Sequence, residues 1–119
     1  MAKKKNKQSE GIHISLQAIA SAAGSAAIEC YGVVGLSAKN SLSDQVNKLL
    51  GKKNFEQAIV CTKEKKGGYS IDLYLVVASE TKITEVIREV QKKVSYVLTQ
   101  TFGIEFRKVN VYVQGVLEI

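Results

Sequence analysis

The chain has 119 residues, a formal net charge of +6 and 45% hydrophobic residues, which fits one globular domain and excludes a disordered or fibrous chain. Cys30 and Cys61 form no close pair and His13 is the single histidine, so a four-ligand zinc site is excluded and we expect no metal or cofactor. No apolar run reaches the ~18 residues of a membrane span, and no signal peptide opens the sequence. These features predict a cytoplasmic protein with reduced cysteines.

The chain begins with a basic, polar segment. Residues 1–10 contain four lysines and no apolar residue after Ala2, so they are predicted to be a disordered tail, and residues 11–119 to form a single domain. Lysines near an anionic leaflet contribute about 1 kcal/mol each. Stable anchoring needs a second signal, so this tail would reach a membrane only with the help of a membrane-bound partner.

A short strand, GIHIS, and a helix of small residues, LQAIASAAGSAAIECY, are predicted next. The many alanines and Gly24 predict that another segment packs closely against this helix. Cys30 and Tyr31 are expected in its last turn, with Gly32 supplying the positive φ beyond the helix end. A cysteine beside a tyrosine and glycines is compatible with a reactive thiol, but a tight turn followed by a short strand, VVGLSA, explains the same residues.

The middle of the chain predicts a short helix and a hairpin. SLSDQVNKLLGKKN has helical spacing and ends near Gly51. Residues 58–64 and 69–78 are rich in strand-forming residues, and Gly67 and Gly68 between them suit a tight turn. The two glycines could also cradle a phosphate, although a turn accounts for them. The second strand alternates, which predicts one buried face and one partly exposed face.

The last elements are a long helix and a strand. TKITEVIREVQKKVSYVLTQTFG has apolar side chains at helical spacing, with Thr81 as a cap at its start and Gly103 at its end. RKVNVYVQGVLEI predicts a strand over 107–117, with valines on one face and Asn110, Tyr112 and Gln114 on the other. The order β-α-β-α-β-β-α-β predicts an α+β two-layer sandwich, in which a mixed sheet carries the helices on one face.

Few residues offer chemistry. The chain has no nucleotide-binding glycine motif, no zinc-protease motif and no serine-hydrolase motif. His13 alone lacks the nucleophile and orienting group that a general base requires. We therefore expect no catalytic residues, and an enzyme acting through Cys30 or His13 is the least favoured alternative.

A basic segment keeps RNA binding open as an alternative. A hairpin followed by a helix and a parallel strand is similar to part of a KH-type fold, but the stretch GKKN lacks the second glycine of the KH clamp. An ordinary solvated basic face explains the same lysines. The lysines of this segment that we considered as a basic surface are Lys52, Lys53, Lys63, Lys65 and Lys66.

Three stretches together resemble one family. SAAGSAAIECYGVVGLSAKN, the long helix and VNVYVQGV, taken in this order, are similar to the alkaline shock protein 23 family of Gram-positive bacteria, also called the Gls general-stress or envelope-stress-response family. The resemblance runs from about Gly11 to Val116. The recurrent positions of the family correspond here to Tyr31, Gly32, Val33, Gly35, Tyr112, Gln114, Gly115 and Val116.

The resemblance implies an abundant, non-enzymatic cytoplasmic protein of cell-envelope homeostasis. Some members are held at the inner face of the membrane by an integral membrane partner and self-associate, and others are linked to fatty-acid metabolism. It implies an adaptor or scaffold with a protein partner or a second copy of itself, and no small-molecule substrate. The lysine-rich tail is a departure from the family pattern.

A face of the last strand is the candidate contact surface. Tyr74 and Tyr112 are expected side by side on adjacent strands, followed by Gln114 and Gly115. An exposed sheet face explains these residues equally well. The residues that we assigned to partner binding or self-association are Tyr31, Gly32, Gly35, Tyr74, Tyr112, Gln114 and Gly115.

Overall fold

The computed structural model describes residues 15–39 and 49–118. Most of the predicted strand GIHIS, and the part of the predicted helix from Ser41 to Lys48, lie outside these residues. The helices are α1 (Leu16–Ile28), a 3-10 helix (Lys52–Ala58) and α2 (Ile83–Phe102). The strands are β1 (Val33–Leu36), β2 (Ile59–Lys63), β3 (Tyr69–Ala78) and β4 (Phe106–Leu117). The α+β class and the hairpin of β2 and β3 are therefore confirmed.

Strand β3 is the centre of the sheet. β4 pairs with it in parallel along its whole length, from Tyr69 to Ala78. On its other side β2 pairs antiparallel with the first half of β3, and β1 pairs antiparallel with the second half. The sheet is thus mixed, as predicted, and β1 and β2 lie end to end along one edge of β3.

The core lies between one sheet face and the two helices. Alternate residues of β3 are fully buried on this face: Ile71, Leu73, Leu75 and Val77. Helix α2 contributes a buried stripe: Val86, Val90, Val94 and Leu98. Each such side chain contributes on the order of 1.5–3 kcal/mol by leaving water. Burial of these two sets against each other holds the helices on one face, which confirms the predicted two-layer arrangement.

The small residues of α1 permit a close contact, as the sequence predicted. A Cβ on Gly24 would lie only 2.3 Å from Cδ2 of Phe55 and 2.9 Å from Cδ1 of Leu36. Phe55 belongs to the 3-10 helix and is buried against α1. Gly24 therefore allows an aromatic ring to pack directly on the helix backbone, and this contact joins the 3-10 helix to the core.

Three local predictions were wrong. Helix α1 ends at Ile28, so Cys30 and Tyr31 lie beyond it. The N–H of Cys30 donates to Ala27 O, three residues back, instead of continuing the α-helix, and Gly32 then reverses the chain at φ 94°. Thr81 does not cap α2: its hydroxyl donates to Ala78 O (2.7 Å) and Lys82 precedes the helix.

The third correction concerns the end of the predicted helix 41–54. Leu49 to Gly51 are not helical, and Gly51 precedes the 3-10 helix, so it starts a helical segment where it was expected to stop one. The N–H of Leu50 donates to Leu36 O (2.9 Å), so this segment runs beside β1 and its backbone bonds to the sheet. Because the N–H of Leu50 is bonded to β1, it is not available for a hydrogen bond within a helix.

Candidate interaction surfaces

The sheet face opposite the helices carries paired polar and aromatic side chains. Tyr74 and Tyr112 occupy the same register position on β3 and β4, and their rings stack with centroids 5.0 Å apart and an interplanar angle of 18°. Two residues earlier on each strand, the Asn110 side-chain amide donates to Asp72 (2.9 Å). Tyr112 is 45% exposed. The predicted adjacency of the two tyrosines is confirmed, and an ordered aromatic surface results.

The environment of Tyr74 favours its neutral phenol. Burial raises the pKa of Tyr74 above its ordinary value, and the nearby Asp72 carboxylate raises this pKa further. Both effects disfavour a negative charge on the phenol oxygen. Tyr74 therefore remains a hydrogen-bond donor throughout the neutral pH range.

The sequence predicted that Gln114 contacts a partner, but in the structure its side chain bonds within the fold. Between Val113 and Gly115 the register shifts, so that Gln114 is the extra residue of a bulge in β4. Its side-chain nitrogen donates to the hydroxyl of Ser37 (2.5 Å) and to Ala38 O (2.8 Å). Ser37 is fully buried. The amide nitrogen of Gln114 thus holds the opposite edge of the sheet, and Gly115 faces Val76 on β3.

Of the other assigned contact residues, only Gly35 is brought to this face, beside Val76, and Leu49 covers it there. Gly32 packs against α2, where an added Cβ would lie 2.7 Å from Val86, and Gly35 is buried against Leu49. Both glycines are structural. Tyr31 is 87% exposed, but it lies beside the start of α2 in a cleft lined by three carboxylates: Glu80, Glu85 and Glu89.

The basic segment is only partly assembled as expected. Lys63, Lys65 and Lys66 line one cleft at the hairpin turn, together with Arg107 and Lys108. The placement of the Lys52 and Lys53 side chains lies outside the described part of the chain. Sequence reasoning missed Arg107 and Lys108. Only the parallel pairing of β4 with β3 brings the start of the last strand next to the hairpin turn.

Neither cysteine is placed for nucleophilic chemistry. Burial is the main cause that raises the pKa of Cys30, and burial alone raises the pKa of Cys61. A raised pKa reduces the reactive thiolate at neutral pH. His13 lies outside the described residues. Among the residues that the structure describes, no group of three or more His, Cys, Asp or Glu could hold a metal ion.

The fold and its surfaces define a small α+β domain whose ordered polar and aromatic side chains lie on an open sheet face and at the edges of the sheet. A family model matches residues 4–118, and the chain belongs to the alkaline shock protein 23 family, which is described by a cell envelope-related function. This confirms the family resemblance.

Within residues 15–39 and 49–118, no helix is both long and apolar enough to cross a membrane.

Two bacterial relatives match over most of their length. The uncharacterized protein YloU of Bacillus subtilis (strain 168) is 44% identical over 105 residues, which cover 88% of this chain and 87% of that protein. The uncharacterized protein Spy1614 of Streptococcus pyogenes serotype M6 is 36% identical over 105 residues, covering 88% and 86%. No solved structure matches the chain.

Proposed function

We propose that this protein is a non-enzymatic adaptor or scaffold of the cell envelope, which acts through protein–protein contacts. The proposal rests on the stacked Tyr74–Tyr112 pair of the open sheet face. Tyrosine is enriched among the residues that dominate binding energy at protein interfaces, and a ring fixed by its neighbour loses little entropy when a partner binds. The envelope-related function of the family supports the same role.

The partner is either a membrane-bound protein or a second copy of this chain. A membrane-bound partner would place the domain at the inner face of the membrane. A second copy would use the same tyrosine surface twice around a two-fold axis, as in most closed dimers. In both cases Tyr112 is the contact residue, because it is the more exposed ring of the stacked pair.

A substitution of Tyr112 tests the proposal. Tyr112→Ala removes the exposed ring and should leave the fold intact, since an aromatic pair contributes only ~0.5–1.5 kcal/mol beyond its area. Tyr96→Ala is the matched control, because Tyr96 lies on α2 and is 66% exposed. Circular dichroism would verify that both variants are folded.

Two readouts identify the partner. Analytical ultracentrifugation of the 13.0 kDa chain measures self-association. Capture from nuclease-treated cell extracts in mild detergent, read by mass spectrometry, measures retention of a membrane protein. We expect Tyr112→Ala to lose either self-association or the retained membrane protein, and Tyr96→Ala to keep both. If Tyr112→Ala behaves as the unmodified protein in both experiments, the sheet face is not the contact surface.

A further inference from the structure

Two clefts meet at Arg107. The first, about 580 Å³, lies at the hairpin turn. The second, about 500 Å³, lies between the second half of α2 and the start of β4. Arg107 lines both. The two clefts therefore lie next to each other and share Arg107, and their linings together form one candidate surface.

This surface is strongly positive. Its walls carry a single carboxylate, Glu64, and six cations: Lys63, Lys65, Lys66, Lys92, Arg107 and Lys108. Within the described residues only one of these cations has an ion pair: Lys92 lies 3.9 Å from Glu89, with both side chains mostly exposed. Such an exposed pair is worth little, so a ligand anion can replace Glu89.

Arg107 is held in place by its surroundings. The register shift between Tyr69 and Ser70 makes Arg107 the extra residue of a second bulge in β4, and bulges redirect side chains. The aliphatic part of Arg107 lies against the hairpin turn, since a Cβ on Gly68 would be 3.0 Å from its Cγ. Arg107 is thus positioned at the junction of the two clefts before any ligand binds.

The second cleft adds an aromatic ring. Tyr96 is 66% exposed and lies one helical turn after Lys92, so both side chains lie on the same face of α2. The side-chain amide of Gln91 donates to Val109 O (2.9 Å) and joins this part of α2 to β4. A solvent-exposed tyrosine beside cations is the arrangement that binds single-stranded nucleic acid, whose bases stack on the ring and whose phosphates meet the cations.

We propose that the two clefts bind single-stranded nucleic acid. The backbone phosphates lie along the five cations of the hairpin cleft and pass Arg107, and a base stacks on Tyr96. The exposed Tyr96 ring beside the cations favours a strand over a membrane surface, because it offers an unpaired base a stacking partner. The site joins three lysines of the 52–66 segment to Arg107 and Tyr96, which the sequence did not indicate, and it is independent of the tyrosine face.

Fluorescence anisotropy with labelled 12-nucleotide oligo(U) tests the proposal, with oligo(dT) as a second probe to separate RNA from DNA binding. The full chain is used throughout, so the lysines of its first ten residues contribute equally to every variant. Arg107→Glu should weaken binding at least tenfold. It should also make the slope of log affinity against log salt shallower by at least ~0.7, the value for one phosphate contact. Tyr96→Ala should weaken binding about fivefold or more and leave that slope unchanged.

Two matched controls separate this site from general charge and hydrophobicity. Arg88→Glu makes the same charge change on α2, outside both clefts. Tyr31→Ala removes an exposed ring from a cleft whose lining has three carboxylates and one lysine, Lys82, so the net charge of that lining is negative and repels phosphates. Each of these two control variants should change the affinity for the oligonucleotide by less than about threefold. Equal losses for Arg88→Glu and Arg107→Glu, or unchanged binding by Tyr96→Ala, would overturn the proposal.

Binding of the two clefts to an anionic membrane is the alternative that remains to be distinguished from nucleic-acid binding. Flotation with vesicles of 30% phosphatidylserine measures it directly. If vesicles bind in an Arg107-dependent manner and both oligonucleotides fail to bind at 50 mM salt, the clefts serve an anionic surface and the proposal is wrong. Saturable binding of either oligonucleotide, sensitive to both Arg107→Glu and Tyr96→Ala, supports it.

Discussion

The side chain of Gln114 crosses strand β3 and donates a hydrogen bond to the hydroxyl of Ser37, on the far edge of the sheet. The two residues are 77 positions apart in sequence. The same nitrogen also donates to Ala38 O. Beneath the crossing, Val76 of β3 has no exposed surface, although it points away from the helices. One polar side chain of β4 thus bonds to the chain beyond β1, on the other side of β3, and covers part of the open face.

Replacing Gln114 should therefore destabilise the fold. Gln114→Ala leaves the buried Ser37 hydroxyl and Ala38 O without this donor, which costs about 1–3 kcal/mol. Urea denaturation followed by circular dichroism measures the change. Gln100→Ala is the matched control, since Gln100 is exposed on α2, and it should change stability by less than ~0.5 kcal/mol. Similar stabilities of the two variants would contradict the account.

Gly24 tests the close contact between α1 and Phe55. Helix propensity alone predicts that Gly24→Ala stabilises the protein by about 1 kcal/mol. The structure predicts the opposite sign, because the new Cβ would lie 2.3 Å from the Phe55 ring. Overpacking of this kind costs ~1–3 kcal/mol. We expect a net loss of stability in urea denaturation.

A second substitution shows whether the ring is the cause. Phe55→Leu shortens the side chain that approaches Gly24. In that background Gly24→Ala should lose less stability than it does alone, giving a coupling energy of at least ~0.5 kcal/mol in a double-mutant cycle. Additive effects of the two substitutions would show that Phe55 does not limit this position.

Tyr74 predicts a loss of stability at alkaline pH. Its pKa in the folded protein is raised, so the folded state holds the phenol proton more tightly than the unfolded state does. The contribution is complete below the unfolded pKa of about 10 and is lost as pH rises through the higher folded pKa. Urea denaturation at pH 8, 10 and 11 should show this loss.

Comparison with Tyr74→Phe isolates this group from the other tyrosines and the two cysteines. The unmodified protein should lose more stability between pH 8 and pH 11 than Tyr74→Phe does. Asp72→Asn removes the second cause of the raised pKa. In that background, the loss of stability between pH 8 and pH 11 should differ less between Tyr and Phe at position 74. Parallel pH curves for the unmodified protein and Tyr74→Phe would contradict the prediction.

The sequence predicted most of the fold because its signals are periodic. The alternation of β3 and the stripe of α2 each describe one element and the face that it buries, and both were confirmed. Helix ends were less predictable. Thr81 has the residue type of a cap, but its hydroxyl bonds to Ala78 O, a competition that only the folded turn reveals.

The surfaces were predictable where alternation holds. Tyr74 and Tyr112 were expected together because each lies on the polar side of a strand, and they stack. Gln114 and Arg107 could not be placed, because each is the extra residue of a bulge and breaks the period of two. A bulge depends on pairing with another strand, so neither side chain's direction is encoded in its neighbours along the chain.

The arrangement of β1 and β2 end to end along β3 has a consequence for the evolution of chain length. Ser37 N–H bonds to Tyr74 O where β1 ends, and Ile59 pairs with Leu73 where β2 begins. The chain between them is fixed on both sides, by Lys39 N–H to Gln57 O and by Leu50 N–H to Leu36 O. Each of the two strands is therefore set in register on β3 by its own hydrogen bonds. A relative that differs in length at this junction would keep the same sheet if it keeps the bonds of Lys39 and Leu50.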